Sequence, residues 1–224
     1  MTTQFYMVAS ALPRMPASFK VEAPPISRIQ LEKRLKLLPA ENLALAYALE
    51  YLLWQSWFMP QKSFSSTKEA YIKLLKTDSP FIHKTVHWFM DLRSLFAALR
   101  LRKEKKAPPA NPQECWLSHW NHQLIQHWDE PDFGLKGVYP WLSKVASDLE
   151  KEDTSAVEEF LLDYIWHYLS IIELRHYFDF EALMIYLLRW NLIHYWSKFN
   201  SNLADNFDEL VKALIHDDIK GLVL

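Results

Sequence analysis

Residues 180–196 read FEALMIYLLRWNLIHYW, and residues 160–174 just before them read FLLDYIWHYLSIIEL. Asp163 and Glu173 punctuate the earlier run, and Glu181 and Arg189 the later one. Neither stretch therefore offers the ~20 uncharged apolar residues that a membrane-crossing helix needs. Both read as helices buried in a protein core.

Outward from that pair, helix starts are marked by their caps. Ser79-Pro80 and Asn111-Pro112 place a capping side chain before a proline at the first helical position. Ser66 with Glu69, Asn111 with Glu114 and Ser155 with Glu158 have capping-box spacing, in which the two residues satisfy each other's free N–H groups. Helices are predicted over 26–38, 41–58, 67–76, 80–104, 112–128, 140–151, 156–175, 180–198 and 204–217. The stretch Gln4 to Leu12 is β-prone and short, and is expected as an extended segment or short strand. The expected fold is all-α, a bundle of eight or nine helices behind that short N-terminal segment.

The 224 residues include only three glycines and twelve prolines, with ten Trp, ten Tyr and thirteen Phe. So little glycine removes most routes to tight hairpins, phosphate-cradling loops and left-handed turns. The rings give large buried areas to a core or an interface. A lone cysteine, Cys115, excludes an internal disulfide framework and suits a reducing compartment. The first residues lack the basic flank and apolar run of a secretory signal.

The net charge of −2 hides an uneven distribution. Residues 1–110 carry 17 Lys and Arg against 8 Asp and Glu, whereas residues 111–224 carry 8 against 19. The chain is expected as one domain, 1–224, or as two lobes, 1–106 (basic) and 111–224 (acidic). The Pro-rich stretch 103–112 would link them. The opposite charges either attract one another within the fold or dock on oppositely charged partners.

No nucleotide-binding glycine motif, nucleophile elbow or Cys-x-x-Cys pair is present. His83, His87 and Asp91 recur one helical turn apart, a spacing that metal sites use, but with no third histidine fixed nearby they read first as a satisfied surface or boundary face and only second as a metal face. Glu173 and His176 have the Glu-x-x-His step that di-iron bundles use twice, but here it occurs once, so a capping or salt-bridging role near a helix end is the more ordinary reading. His119, His122 and His127 alternate with Trp116, Trp120 and Trp128, which reads as a packed histidine–aromatic surface. Cys115, beside Trp116, reads as a structural thiol. Arg93, Arg100, Arg102, Lys103, Lys105 and Lys106 could meet phosphates, but at an overall pI of about 6.5 they read as a solvated helix end. Neither a catalytic constellation nor a cofactor is expected, and no nucleic-acid partner.

Three stretches carry a resemblance. They are Phe5-Tyr6-Met7-Val8-Ala9-Ser10-Ala11-Leu12-Pro13, then Asp132-Phe133-Gly134-Leu135 followed by Pro140, then Tyr177 to Leu188 with His194-Tyr195-Trp196. Together they resemble a family of uncharacterised bacterial proteins encoded with V/A-type ATPase genes. That family is similar to the C-type component of the machine, called the d-type component in eukaryotes. The chain departs from the family at Arg189-Trp190, where a Lys-Leu pair is usual, and at Ser201-Asn202, where a glycine is usual. It is also shorter than a full C-type component.

The resemblance implies a helical, non-catalytic coupling or assembly component on the cytoplasmic face. Its partners would be the central stalk and the membrane rotor ring, and it would meet the membrane only through the complex. Trp54, Trp57, Trp116 and Trp120 are candidate anchors for such partners where they are exposed and plain core packing otherwise, with Arg100, Arg102, Lys103, Lys105 and Lys106 as candidate charged contacts. The alternative is a general helical interaction module unrelated to ion transport.

Overall fold

The computed structural model describes residues 3–58 and 64–201. Among them the regular structure is helical and no strand is present, so the all-α expectation holds. The helix expected over 204–217 lies outside the described residues.

The described residues form two compact units, one from residues 3–54 and 160–201, the other from residues 55–58 and 64–159. The division does not fall at 103–112, which lies inside the second unit. It falls where the first and last described helical segments of the chain join the same core.

The first unit is centred on α10 (Phe180–Ser201), which packs against α1 (Thr3–Ser10) and α3 (Ala40–Glu50). From 183 to 193 almost every α10 position is buried, as expected of a helix that is apolar all round. The first unit also holds α2 (Arg28–Leu35), capped by the Ser27 hydroxyl, which accepts from the Gln30 N–H.

The N-terminal segment corrects the sequence reading. Residues 3–10 are helical rather than extended, because Val8 is buried and the Phe5 ring meets that of Phe180, with centroids 6.2 Å apart. Tertiary burial here outweighs a β-leaning composition.

Between α1 and α2 the prolines keep the chain open, and long side chains fasten its carbonyls. Arg34 donates to Ala11 O at 2.9 Å, Trp166 Nε1 to Ala17 O at 3.3 Å and Trp190 Nε1 to Ile26 O at 2.7 Å. Phe19, fully buried, plugs the segment against Trp166 and Trp196.

The unit also buries a charge. Glu50, only 2 % exposed, receives two bonds from the Arg28 guanidinium and one from Asn191 Nδ2 at 2.9 Å. Past Glu50 the predicted long helix passes through a π-helical segment, Tyr51–Gln55, before α4 (Ser56–Phe58).

The second unit is centred on α6 (Pro80–Lys103), begun by the Ser79-Pro80 cap, whose hydroxyl accepts from the Ile82 N–H. Around it pack α5 (Phe64–Leu75), α7 (Asn121–Gln126) and α8 (Leu142–Glu150). The predicted helix over 112–128 is broken into a 3₁₀ turn, Pro112–Glu114, and the short α7. Asn111 makes no backbone cap there, although its amide meets the Glu114 carboxylate. α9 (Thr154–Glu173) is capped by Asp153 rather than by Ser155, since the Asp153 carboxylate accepts from the Ala156 N–H at 3.1 Å. Ser66 sits within α5 rather than before it.

Scarce glycine does not keep the chain out of left-handed backbone, contrary to the sequence reading. Lys105 (φ 56°) and Glu152 (φ 59°) each follow a helix end in that conformation. Lys106 N–H returns to Leu101 O, and Asp153 N–H to Asp148 O, closing both turns as Schellman motifs. A side chain with a Cβ is disfavoured there. Lys105→Gly and Glu152→Gly are therefore each expected to stabilise the protein by about 0.5–1 kcal/mol in urea melts.

Candidate functional site

The residues singled out by sequence serve mostly as architecture. Trp54, Trp57 and Trp116 are buried, so they are core side chains rather than surface anchors. Trp54 sets its ring edge-on to Tyr195 and Trp57 to Phe89, while Trp116 stacks on Trp128 at 6.3 Å. Trp120 is half-buried with its ring edge-on to Tyr139.

The basic run is no phosphate clamp either. Arg100 pairs with Glu104 at 3.4 Å, and Lys106 reaches the same carboxylate at 2.7 Å. Arg102 donates to the carbonyls of Glu130 and Pro131, and its guanidinium lies 4.5 Å from the centre of the Phe133 ring. Burial pushes both guanidinium pKa values down, partly opposed by neighbouring carboxylates. Lys103 is half-buried and Lys105 exposed.

The candidate metal face does not converge, and its Asp91 and His87 are engaged as a satisfied boundary face. Asp91 is buried on α6, and its carboxylate is engaged by the stretch before α7. Its Oδ1 accepts from the Ser118 hydroxyl at 2.8 Å, from the His119 backbone N–H at 3.0 Å, and faces His119 Nδ1 at 3.3 Å. It thereby ties that irregular stretch to α6. His87 instead meets the Tyr71 hydroxyl at 3.3 Å and stands 4.3 Å from the His119 ring, while His83 Nε2 is buried without a partner. His122 is exposed on α7, and His127 pairs with Glu130 at 2.7 Å.

Burial lowers the His87 pKa from 6.5, His119 and His83 lower it further, and Asp91 partly opposes them. Neutral His87 is thus favoured in the fold, while the unfolded chain still takes up the proton near pH 6.5. Its share of stability is present above that pH and lost as pH falls below it. Thermal melts between pH 7 and pH 5 are expected to show a smaller acid-induced fall for His87→Gln than for the unaltered chain. Equal falls would contradict the assignment.

What the sequence reading missed lies in the first unit. α1, the residues after it, the end of α9 and the start of α10 enclose an open cleft of about 380 Å³. Its apolar wall includes Leu12, Pro13, Met15 and Leu183, and its polar groups are Arg14, Glu173, His176 and Tyr186. The Tyr186 hydroxyl is buried with no hydrogen-bond partner, and burial pushes its pKa up to about 12 despite Arg34.

Glu173 pairs with the buried Arg189, the salt-bridging role expected near a helix end, and its carboxylate does not join His176. His176 turns to Asp179, with Nδ1 2.7 Å from Oδ2, and Glu181 stands close by. The other Asp179 oxygen caps α10 by accepting from the Ala182 N–H at 2.8 Å. The signal for this group was the spacing His176-x-x-Asp179-x-Glu181 across a turn, which a search for helical periods passes over.

Large apolar side chains are exposed at this end of the unit. Tyr6, Met7, Leu174, Tyr177 and Phe178 are each 50–72 % exposed, and the Tyr6 and Phe178 rings lie 4.7 Å apart. Among the described residues, no helix is long and apolar enough to cross a membrane.

Fold and site together define a class: an all-α protein whose exposed rings and open cleft sit at the α1–α10 end of one helical unit. Residues 62–218, more than half of the chain, match the family described as "Protein of unknown function (DUF2764)", and the chain belongs to that family. The match takes in α5 to α10, with His176, Asp179 and Glu181, and leaves α1 before it. No curated protein and no solved structure matches the chain.

Proposed function

We propose that this chain is a non-catalytic docking component of a V/A-type rotary ATPase, comparable to the C-type component of that machine. It would act on the cytoplasmic side between the central stalk and the membrane rotor ring, reaching the membrane only through the complex. One observation carries the reading: Tyr6, Met7, Leu174, Tyr177 and Phe178 are large apolar side chains exposed at the α1–α10 end of the first unit, with Leu174 and Tyr177 lining the cleft. Large apolar side chains clustered in water mark a surface that a partner covers. Aromatic residues in such a position supply most of the affinity of a protein interface.

The resemblance of 5–13 and 177–188 to proteins encoded with this ATPase supports the choice of partner, because those two stretches build the exposed face. A stiff helical body with aromatic contacts suits a coupler, which transmits torque without transforming a substrate.

The test is co-purification. Tagged full-length protein recovered from native membranes in mild detergent is expected to bring stalk or ring proteins with it. A Tyr6→Ser/Phe178→Ser variant, folded by circular dichroism, is expected to lose them. Recovery of other proteins without any part of the ATPase would favour the general interaction module. Recovery of neither would defeat the docking reading.

A further inference from the structure

We propose that His176, Asp179 and Glu181 form a binding site for one divalent transition-metal ion. The inference stands apart from the docking reading, since it concerns the turn between α9 and α10 whether or not a protein covers it. Each of the three residues offers a ligand atom, and those atoms lie within 4.8 Å of one another. His176 Nδ1 and Asp179 Oδ2 are already 2.7 Å apart. Ligands bound to a tetrahedral ion at about 2.0–2.1 Å stand roughly 3.3 Å from each other. The ion therefore fits the pair with a small opening, and the Glu181 side chain has only to rotate inward.

Asp179 can serve both roles. Its Oδ1 is occupied by the Ala182 N–H, while Oδ2 is the oxygen turned to the imidazole. The ion would take the place of the hydrogen bond between Nδ1 and Oδ2, binding the neutral imidazole through Nδ1 with its ring proton on Nε2.

Charge decides whether a cation is tolerated at the start of a helix. The α10 N-terminus contributes roughly half a positive charge. Two carboxylates contribute two negative charges, so the balance favours a dication. One imidazole with two carboxylates suits zinc, cobalt, nickel, iron or manganese better than calcium or magnesium. His176 also lines the open cleft, so the site is reachable from solvent. The positions the protein leaves open on the ion would be filled by water or by an anionic group entering that cleft. The ion would brace the turn that carries Leu174, Tyr177 and Phe178.

The experiment uses full-length protein stripped with chelator and dialysed, then titrated with Co²⁺ by visible absorption and with Zn²⁺ by calorimetry in two buffers of different ionisation heat. One equivalent should bind. Asp179→Asn keeps a helix-capping oxygen and Glu181→Gln changes an accessible side chain, so both are expected to fold. Each should weaken binding tenfold or more, as should His176→Gln. Absence of stoichiometric uptake by the folded chain would overturn the site. So would uptake unchanged in all three variants, which would put the metal on other histidines.

Discussion

Arg28→Ala is expected to cost the first unit about 3–5 kcal/mol, because it leaves the Glu50 carboxylate buried without its cation. Glu50 is only 2 % exposed, and its remaining bond would come from Asn191. The guanidinium also lies 5.6 Å from the Trp190 ring centre, so the truncation removes packing as well as charge. Its Glu32 contact is half-exposed and contributes little.

Glu50→Gln should cost less, since the arginine it leaves behind retains 31 % exposure and Glu32. The double variant Arg28→Ala/Glu50→Gln should then be no worse than Arg28→Ala alone, a coupling visible in a double-mutant cycle by urea unfolding. Strict additivity of the two losses would show that the pair contributes no more than its separate packing.

Phe133→Ala is expected to destabilise the second unit by about 3–5 kcal/mol, the usual loss for a buried ring replaced by a methyl group. Phe133 is fully buried against Trp128, with the Arg102 guanidinium over its face. It also holds a left-handed backbone, φ 52°, uncommon for so large a residue. The following residue explains how the turn is closed. Gly134 has φ 67°, and its N–H is taken by the Asp132 carboxylate at 3.0 Å. A Cβ on Gly134 would come within 2.8 Å of Gln123 Nε2 and 3.3 Å of the His127 ring. The Asp-Phe-Gly-Leu stretch is thus a structural plug. Chemical denaturation of Phe133→Ala should show the loss, and a cost below about 1 kcal/mol would mean that the ring is not a core element.

The central helices were legible because their signals are local. Consecutive apolar residues mark α10, and the Ser79-Pro80 cap marks the start of α6. Two of the failures share one cause, which is distance along the chain. Residues 3–10 are held helical by Phe180 and the rest of α10, a contact far away in sequence. The break before α7 is fixed by Asp91, some 28 residues earlier.

The exposed face was hidden for the same reason. Tyr6 and Met7 become part of an exposed face only once α1 meets the turn at 174–178. Nothing in the sequence distinguished Trp57, sealed in a core, from Tyr177, open to solvent. Composition correctly signalled an excess of rings but could not say which of them face water.

Footprinting by hydroxyl radicals, on the free protein and on the complex recovered from membranes, tests the docking account most directly. Strong protection of Tyr6, Tyr177 and Phe178 in the complex, with stalk or ring proteins present, is the predicted result. Equal labelling of all three in both samples, with protection elsewhere on the chain, would contradict it.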